Sequence, residues 1–303
     1  MVEQVINGRD LKKQFSKVQA LSNVSISVDA GRIVGLIGRS GSGKTTLMKI
    51  CAGILGKTAG ELQVFRAEPM DNIDVLKQLI YSQHNQEYVT RYKLKDIVGQ
   101  YEKMFPNFDR AFAKKLLSYF SLGEERKYTD LSQGNKSCFN FICALATRAP
   151  LTLLDEPTLG MDAAMRKSIY EIILRDQIEF PRTMIISSHL LVELESILSE
   201  IILLDQGKVI FHKDIDEVRE LAYRVDGRKK DIEAFAAYRN VVQSLEQEMF
   251  SAAIILEQLT EDVERDALEQ GLSVSKVAPA DICVYLTSRG KEAELSCLWE
   301  EKN

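Results

Sequence analysis

The sequence predicts an α/β fold, a mixed sheet dressed with helices, followed by a small second α/β domain. Three observations carry this. A glycine-rich loop, GRSGSGKTT (Gly38 to Thr46), joins the apolar run RIVGLI to the helix-patterned TLMKICAG. Two further apolar runs, LTLLDEP and TMIISSH, stop abruptly in carboxylates or in Ser-Ser-His, as buried parallel strands do at a sheet edge. In the last third of the chain, short strand-patterned and helix-patterned segments alternate.

Composition sets the frame. The chain has 303 residues, room for one large domain and a smaller one. Its net charge of −5 gives no electrostatic footprint for nucleic acid, so no such partner is expected. Runs such as AIIL and IILL suit buried strands, and none approaches the ~20 residues that span a bilayer. MVEQVINGRD lacks a basic segment followed by an apolar one, so no signal peptide is expected. The cysteines at 51, 138, 143, 283 and 297 form no CxxC pair and read as reduced thiols of a cytosolic chain.

In chain order, VQALSNVSISVDAGRIVGLIG reads as strands leading into the glycine-rich loop. That loop fits G-x-x-x-x-G-K-[ST], the phosphate-binding P-loop. Gly38, Gly41 and Gly43 free the backbone for conformations a Cβ would block. The N–H groups of the loop, those of Arg39, Ser40, Ser42 and Thr46 among them, then line an anion nest at the positive end of the next helix. Lys44 can bridge β- and γ-phosphates, and the Thr45 hydroxyl can ligate Mg²⁺.

LIYS reads as a further strand, and residues of about 93–150 as a helical insert. YKLKDIVGQYEKMF and DRAFAKKLLSYFSL have apolar spacings of three and four, with Asp109 as an N-cap. LSQGNKS is a turn opening the helix CFNFICALAT, with Ser132 as N-cap. In LTLLDEPTLGMD, Asp155 can hold Mg²⁺ through water, and Glu156 can orient or deprotonate a water. In TMIISSHLLVELE, His189 falls at a strand end, in position to sense a γ-phosphate. His84 and His212 are read as lacking a comparable strand-end setting. EIILLDQGKVIFHKDIDEV reads as a closing hairpin and short helix. Thereafter come a strand (AYRVDG), a helix (KKDIEAFAAYR), two strands (NVVQSLEQEM, SAAIILE), a helix ended by Gly271, a strand (LSVSKV) and a last helix (PADICVYLTSRG).

The order P-loop, LSQGN, DEP, LGMD and SSH resembles the ATP-binding cassette (ABC) ATPases over about residues 1–212. The resemblance implies ATP and Mg²⁺ as cofactors and two cassettes sandwiching two nucleotides. It makes Phe15 the adenine-stacking aromatic, Asp155 the Walker B carboxylate and Glu156 the catalytic glutamate. Lys44 and His189 assist the chemistry. Ser132 and Gly134 would cap the nucleotide of the other copy. This sequence departs from the family in LSQGN for LSGGQ, and in Phe15 where a tyrosine is common. The family's magnesium-sensing glutamine after the LIYS strand falls on Gln83 or His84, and both readings stay open. The resemblance further implies a separate transmembrane permease, docked on the helical insert near Tyr88, Tyr92, Tyr101, Phe105 and Phe108, with this chain peripheral on the cytoplasmic face. The predicted division is a cassette of 1–218 and an accessory or dimer-stabilising domain of 219–303. The tail resembles those of bacterial exporters of peptides and antimicrobials, including cassettes encoded beside GntR-type regulators and exporters of phenol-soluble modulins. The rival readings are a cytosolic ABC ATPase of the iron–sulfur-assembly kind and an ATP-gated interaction module with little turnover.

Overall fold

The structure is a computed structural model that describes residues 3–246 and 251–288. It divides into two compact units, 1–212 and 213–303, a boundary six residues before the predicted one. The short helix Ile215–Arg219 belongs to the second unit because it packs on that unit's last helix. Cys297 and the end of PADICVYLTSRG lie outside the described residues.

The first unit begins with β1 (Gln4–Phe15), β2 (Val18–Asp29), β3 (Ile33–Ile37), α1 (Lys44–Cys51), β4 (Ala59–Val64), α2 (Ile73–Leu76) and β5 (Leu79–Gln83). The helical insert follows as α3 (Leu94–Met104), α4 (Arg110–Tyr119) and α5 (Gln133–Ala146). The chain then returns to the sheet through β6 (Leu151–Asp155), α6 (Ala163–Glu179), β7 (Thr183–Ser188), α7 (Leu191–Leu194), β8 (Glu200–Asp205) and β9 (Lys208–Asp214). The central sheet has the order β5-β6-β7-β3-β8-β9, and its first five strands are parallel. β3, β6 and β7 are buried along their whole length, which is why they read as unbroken apolar runs. A three-stranded antiparallel sheet, β2-β1-β4, lies over α1. One core joins Ile6, Leu11 and Val24 of that sheet to Leu47 and Met48 of α1 and to Leu36, Leu153 and Ile202 of the central sheet.

The insert is tied to the core by charge. Asp109 caps α4 by accepting from the Phe112 N–H at 2.9 Å, and its other oxygen accepts from Arg148 at 3.1 Å. The Arg148 guanidinium lies between the rings of Phe112 and Phe180, 4.3 and 4.0 Å from their centroids, and also pairs with Asp176 of α6. Asp176 accepts a second guanidinium, Arg182, at 2.5 Å. Of the five aromatics expected around the docking segment, Tyr101 and Phe105 are buried, while Tyr88 packs edge-on to Tyr128.

The second unit opens with α8 (Ile215–Arg219) and runs β10 (Tyr223–Gly227), α9 (Lys229–Ala236), β11 (Val241–Glu246), β12 (Ser251–Ile255), α10 (Glu261–Glu269), β13 (Ser273–Lys276) and α11 (Pro279–Ser288). Its sheet order is β11-β12-β10-β13, all pairs antiparallel. This βαββαβ path is the ferredoxin-like split unit. One face of the sheet packs Val225 and Ile255 against Ile232 and Phe235 of α9, with Ala267 of α10 in the same cluster. The other packs Ala222 and Ile254 against Ile282 of α11.

Candidate functional site

The parallel strands β3, β5, β6 and β7 end on one edge of the sheet, and the loops that follow them meet there. Gly38 leaves β3 so close to β8 that an added Cβ would lie 2.1 Å from the Leu204 carbonyl oxygen. Gly38 is thus required for close approach, whereas Gly41 (φ 80°) and Gly43 (φ 107°) are required for left-handed backbone. Gly43 is the N-cap of α1 and offers no side chain to its first turn, so the helix's leading N–H groups stay available to an anion. Lys44 is buried and folds back on the loop, donating to the carbonyls of Gly38 (2.6 Å) and Arg39 (3.3 Å). Burial pushes its ammonium pKa down, and the charges of Glu156 and Asp155 push it back up.

Asp155 ends β6 as a buried carboxylate held from two sides. Ser187 donates to one oxygen at 2.6 Å and Tyr81 to the other at 2.9 Å. Glu156 follows in left-handed backbone (φ 49°), a conformation uncommon for a residue with a side chain. Its N–H donates to Ser187 Oγ at 2.9 Å, so one serine sets both carboxylates. The Glu156 side chain then lies between two cations or donors. Lys44 Nζ is 3.7 Å from one oxygen, and His189 Nδ1 is 2.9 Å from the other. A carboxylate only accepts, so Nδ1 is the donor and Nε2 is left to face outward.

A pocket of about 420 Å³ collects residues 40–46, His84, Glu156 and His189. Two buried polar atoms on its wall, Ser42 Oγ and His84 Nδ1, have no protein partner. Orphaned polar atoms beside an amide-lined loop suit a polyanionic ligand such as a triphosphate. His84 needs correction. It directly follows the carboxyl end of β5 and lines the pocket, so it does have a strand-end setting. Gln83 is the last residue of β5, opposite Asp155 in register, and its side-chain oxygen accepts from Tyr81 at 3.3 Å. His212 sits in β9 and bonds Glu200 at 2.9 Å, away from the pocket.

The other expected residues stand apart from the pocket. Phe15 closes β1 with a partly exposed ring under Lys13 Nζ, while Val18, Gln19 and Ala20 just beyond it form pocket wall. Ser132 caps α5 by accepting from the Asn135 N–H. Gly134 is pressed against Gly160, where a Cβ would lie 2.5 Å from the carbonyl oxygen. Sequence reasoning missed Tyr81 and Ser187 as the partners of Asp155. Their only signal was a polar side chain near the end of each of the apolar strands β5 and β7.

The sequence profile of the family described as ABC transporter matches residues 21–159. The chain is 31% identical to the ABC transporter ATP-binding protein YtrB of Bacillus subtilis over 216 residues, which cover 71% of this chain and 74% of that one. The chain belongs to this family. It is the ATP-binding, ATP-hydrolysing subunit of an ABC transporter. The cassette is also 30% identical to the lantibiotic transport ATP-binding protein SrtF of Streptococcus pyogenes, over 69% of this chain and 90% of that one. The bacitracin transport ATP-binding protein BcrA of Enterococcus faecalis is 27% identical over 73% and 72%. Among solved structures, the ATP-binding subunit of an ABC transporter superposes with a TM-score of 0.63 at 22% identity, covering 71% of this chain and 92% of that one, a likeness of fold. Subunits of this family work with transmembrane partners and as dimers. Among the described residues no helix is long and apolar enough to cross a membrane.

Proposed function

We propose that this chain powers export of a peptide or peptide antibiotic through a separate transmembrane permease, from the cytoplasmic face of the membrane. The observation that carries the catalytic part is Glu156 held between Lys44 and His189 on the wall of the phosphate pocket. The export part rests on the relatives named for bacitracin and lantibiotic transport. Relatives named for zinc uptake and methionine import match at 26 and 28% identity.

In this reading residues 38–46 bind the triphosphate with their amides, and Lys44 turns from its own loop carbonyls to the β- and γ-phosphates. Phe15 stacks on adenine. Glu156 orients a water in line with the γ-phosphate and draws off its proton, while His189 holds the Glu156 carboxylate by Nδ1 and offers Nε2 to the phosphate. Ser132 and Gly134 act in trans, capping the nucleotide of the second cassette with the N-terminus of α5. The residues present fit Mg²⁺. Thr45 supplies an exposed hydroxyl on the first turn of α1, and Asp155 and Gln83 supply oxygens at neighbouring strand ends, an all-oxygen set short of a full cage. When bound, the ion would neutralise charge on the phosphate oxygens. Gln83 takes the magnesium-sensing place because it faces Asp155 in register, and His84 takes the pocket wall. The second unit serves as an accessory domain that steadies the cassette dimer.

Affinity purification of the tagged chain from detergent-solubilised native membranes tests this reading. A multi-span membrane protein in stoichiometric amount is expected. Recovery only in the soluble fraction, alone or with cytosolic proteins, would overturn the permease assignment.

A further inference from the structure

The first two turns of α5 face the pocket loops with a row of side-chain donors. Gln133, Ser137 and Asn140 stand at i, i+4 and i+7, on one side of the helix. Each donates to a main-chain carbonyl in or next to a loop of the phosphate pocket. Gln133 Nε2 reaches the His84 oxygen at 3.2 Å, Ser137 Oγ the Leu159 oxygen at 2.8 Å, and Asn140 Nδ2 the Gln83 oxygen at 3.0 Å. His84 and Leu159 are both pocket wall. The stem of Gln133 also rests against Gly160, whose left-handed φ of 79° leaves room for it; a Cβ there would meet Gln133 Cγ at 3.0 Å. A glycine at position 133, as in LSGGQ, could make none of these contacts.

We propose that this row positions the pocket from behind, and that Gln133 is the positioning residue for the His84 imidazole. The argument is one of chain constraint. The loop after β5 carries His84 into the pocket, and the two residues at the turn, Gln83 and His84, are each held by one α5 amide through the backbone. With both carbonyls fixed, the His84 ring has few ways to leave the pocket wall, where its buried Nδ1 has no protein partner and is free for a phosphate oxygen or its water. Ser137 does the same for Leu159, another residue of the wall. Asn140 is the anchor of the row. It is buried, it also donates to Tyr128 at 3.0 Å, and it accepts from Tyr88 at 3.3 Å. Its loss would disturb packing, so the test rests on Gln133, which is exposed.

The inference rests on reading the pocket as the triphosphate site. The experiment measures the affinities of ATP and ADP for the full-length chain by fluorescence competition, with thermal melting as a control. Gln133→Met keeps the stem on Gly160 and removes only the donor. Both Gln133→Met and His84→Ala are expected to lower the ATP-over-ADP preference about fivefold to tenfold, the scale of one ordinary hydrogen bond, with little change in melting. The double variant is expected to lose no more than His84→Ala alone, because Gln133 acts through that ring. Full additivity, or a Gln133→Met chain with unchanged preference, overturns the proposal while leaving the ATP site intact. Failure of the wild-type chain to bind ATP overturns the site reading itself.

Discussion

The two units are both α/β, yet they deploy their loops differently. In the first, β3, β5, β6 and β7 run parallel, so four consecutive strand ends empty onto one edge. Polar residues far apart in sequence, Lys44, His84, Glu156 and His189, meet there without any strand breaking its apolar run. In the second unit neighbouring strands are antiparallel, so the ends of β10 and β11 fall on one edge and those of β12 and β13 on the other. Its charged groups pair locally, as Arg224 does with Asp226 two residues on. Parallel topology gathers chemistry, whereas this antiparallel sheet disperses it.

If that contrast is right, the largest effects arise at the parallel edge. Glu156→Gln keeps the shape of the side chain and removes the base. Hydrolysis is expected to fall about a hundredfold to a thousandfold while ATP binding persists, trapping a closed, ATP-bound dimer. Full turnover by this variant would break the assignment of Glu156. Gly38→Ala comes next. Its methyl would be driven into the Leu204 carbonyl, and a loss of about 3 kcal/mol in chemical denaturation is expected, with nucleotide binding abolished.

The edge was readable in the sequence because each of its parts is local. GRSGSGKTT, DEP and SSH each name their own strand end, and Asp109 and Ser132 each cap the helix that follows them. What was not readable depends on pairing. β1 is polar and its alternation slips, with register shifts after Gly8 and after Leu11, so it carries no clean period and was not expected as a strand. The partnership of Tyr81 with Asp155 depends on β5 lying beside β6, although 74 residues separate the two in sequence. His84 looked like a loop residue because the end of β5 falls one residue before it, and nothing local marks that end.

A middling effect separates the buried interior of the first unit from its reactive edge. Burial pushes the Cys51 and Cys138 thiols up from the usual 9.0 to about 12. At pH 8 only about one thiol in ten thousand is then ionised, so native-state labelling with iodoacetamide, followed by peptide mass spectrometry, should leave both unmodified. The sign of the linkage is fixed as well. An acid whose folded pKa is raised contributes its full stability below the unfolded value and loses it as pH climbs, so the unfolding free energy should decline between pH 9 and about 12. The smallest effect belongs to the second unit. The Thr260 hydroxyl caps α10 by accepting from the Val263 N–H, and Thr260→Ala should cost about 1 kcal/mol by calorimetry while ATP turnover stays at the wild-type rate. A change in turnover would show that the two units are energetically joined.

Helix α5 has its two ends in different keeping. Its amino end carries Gln133 to the loop of His84, and just past its carboxyl end Arg148 is clamped by Asp109, Asp176 and two aromatic rings. Fourteen residues of helix at 1.5 Å each make a strut of about 21 Å. A strut seated in a fixed bearing cannot shorten, so whatever tilts the insert must swing it about Arg148. Motion of the helical insert would then reach the turn at Ser132 as a displacement along an arc, its size set by the length of the rod.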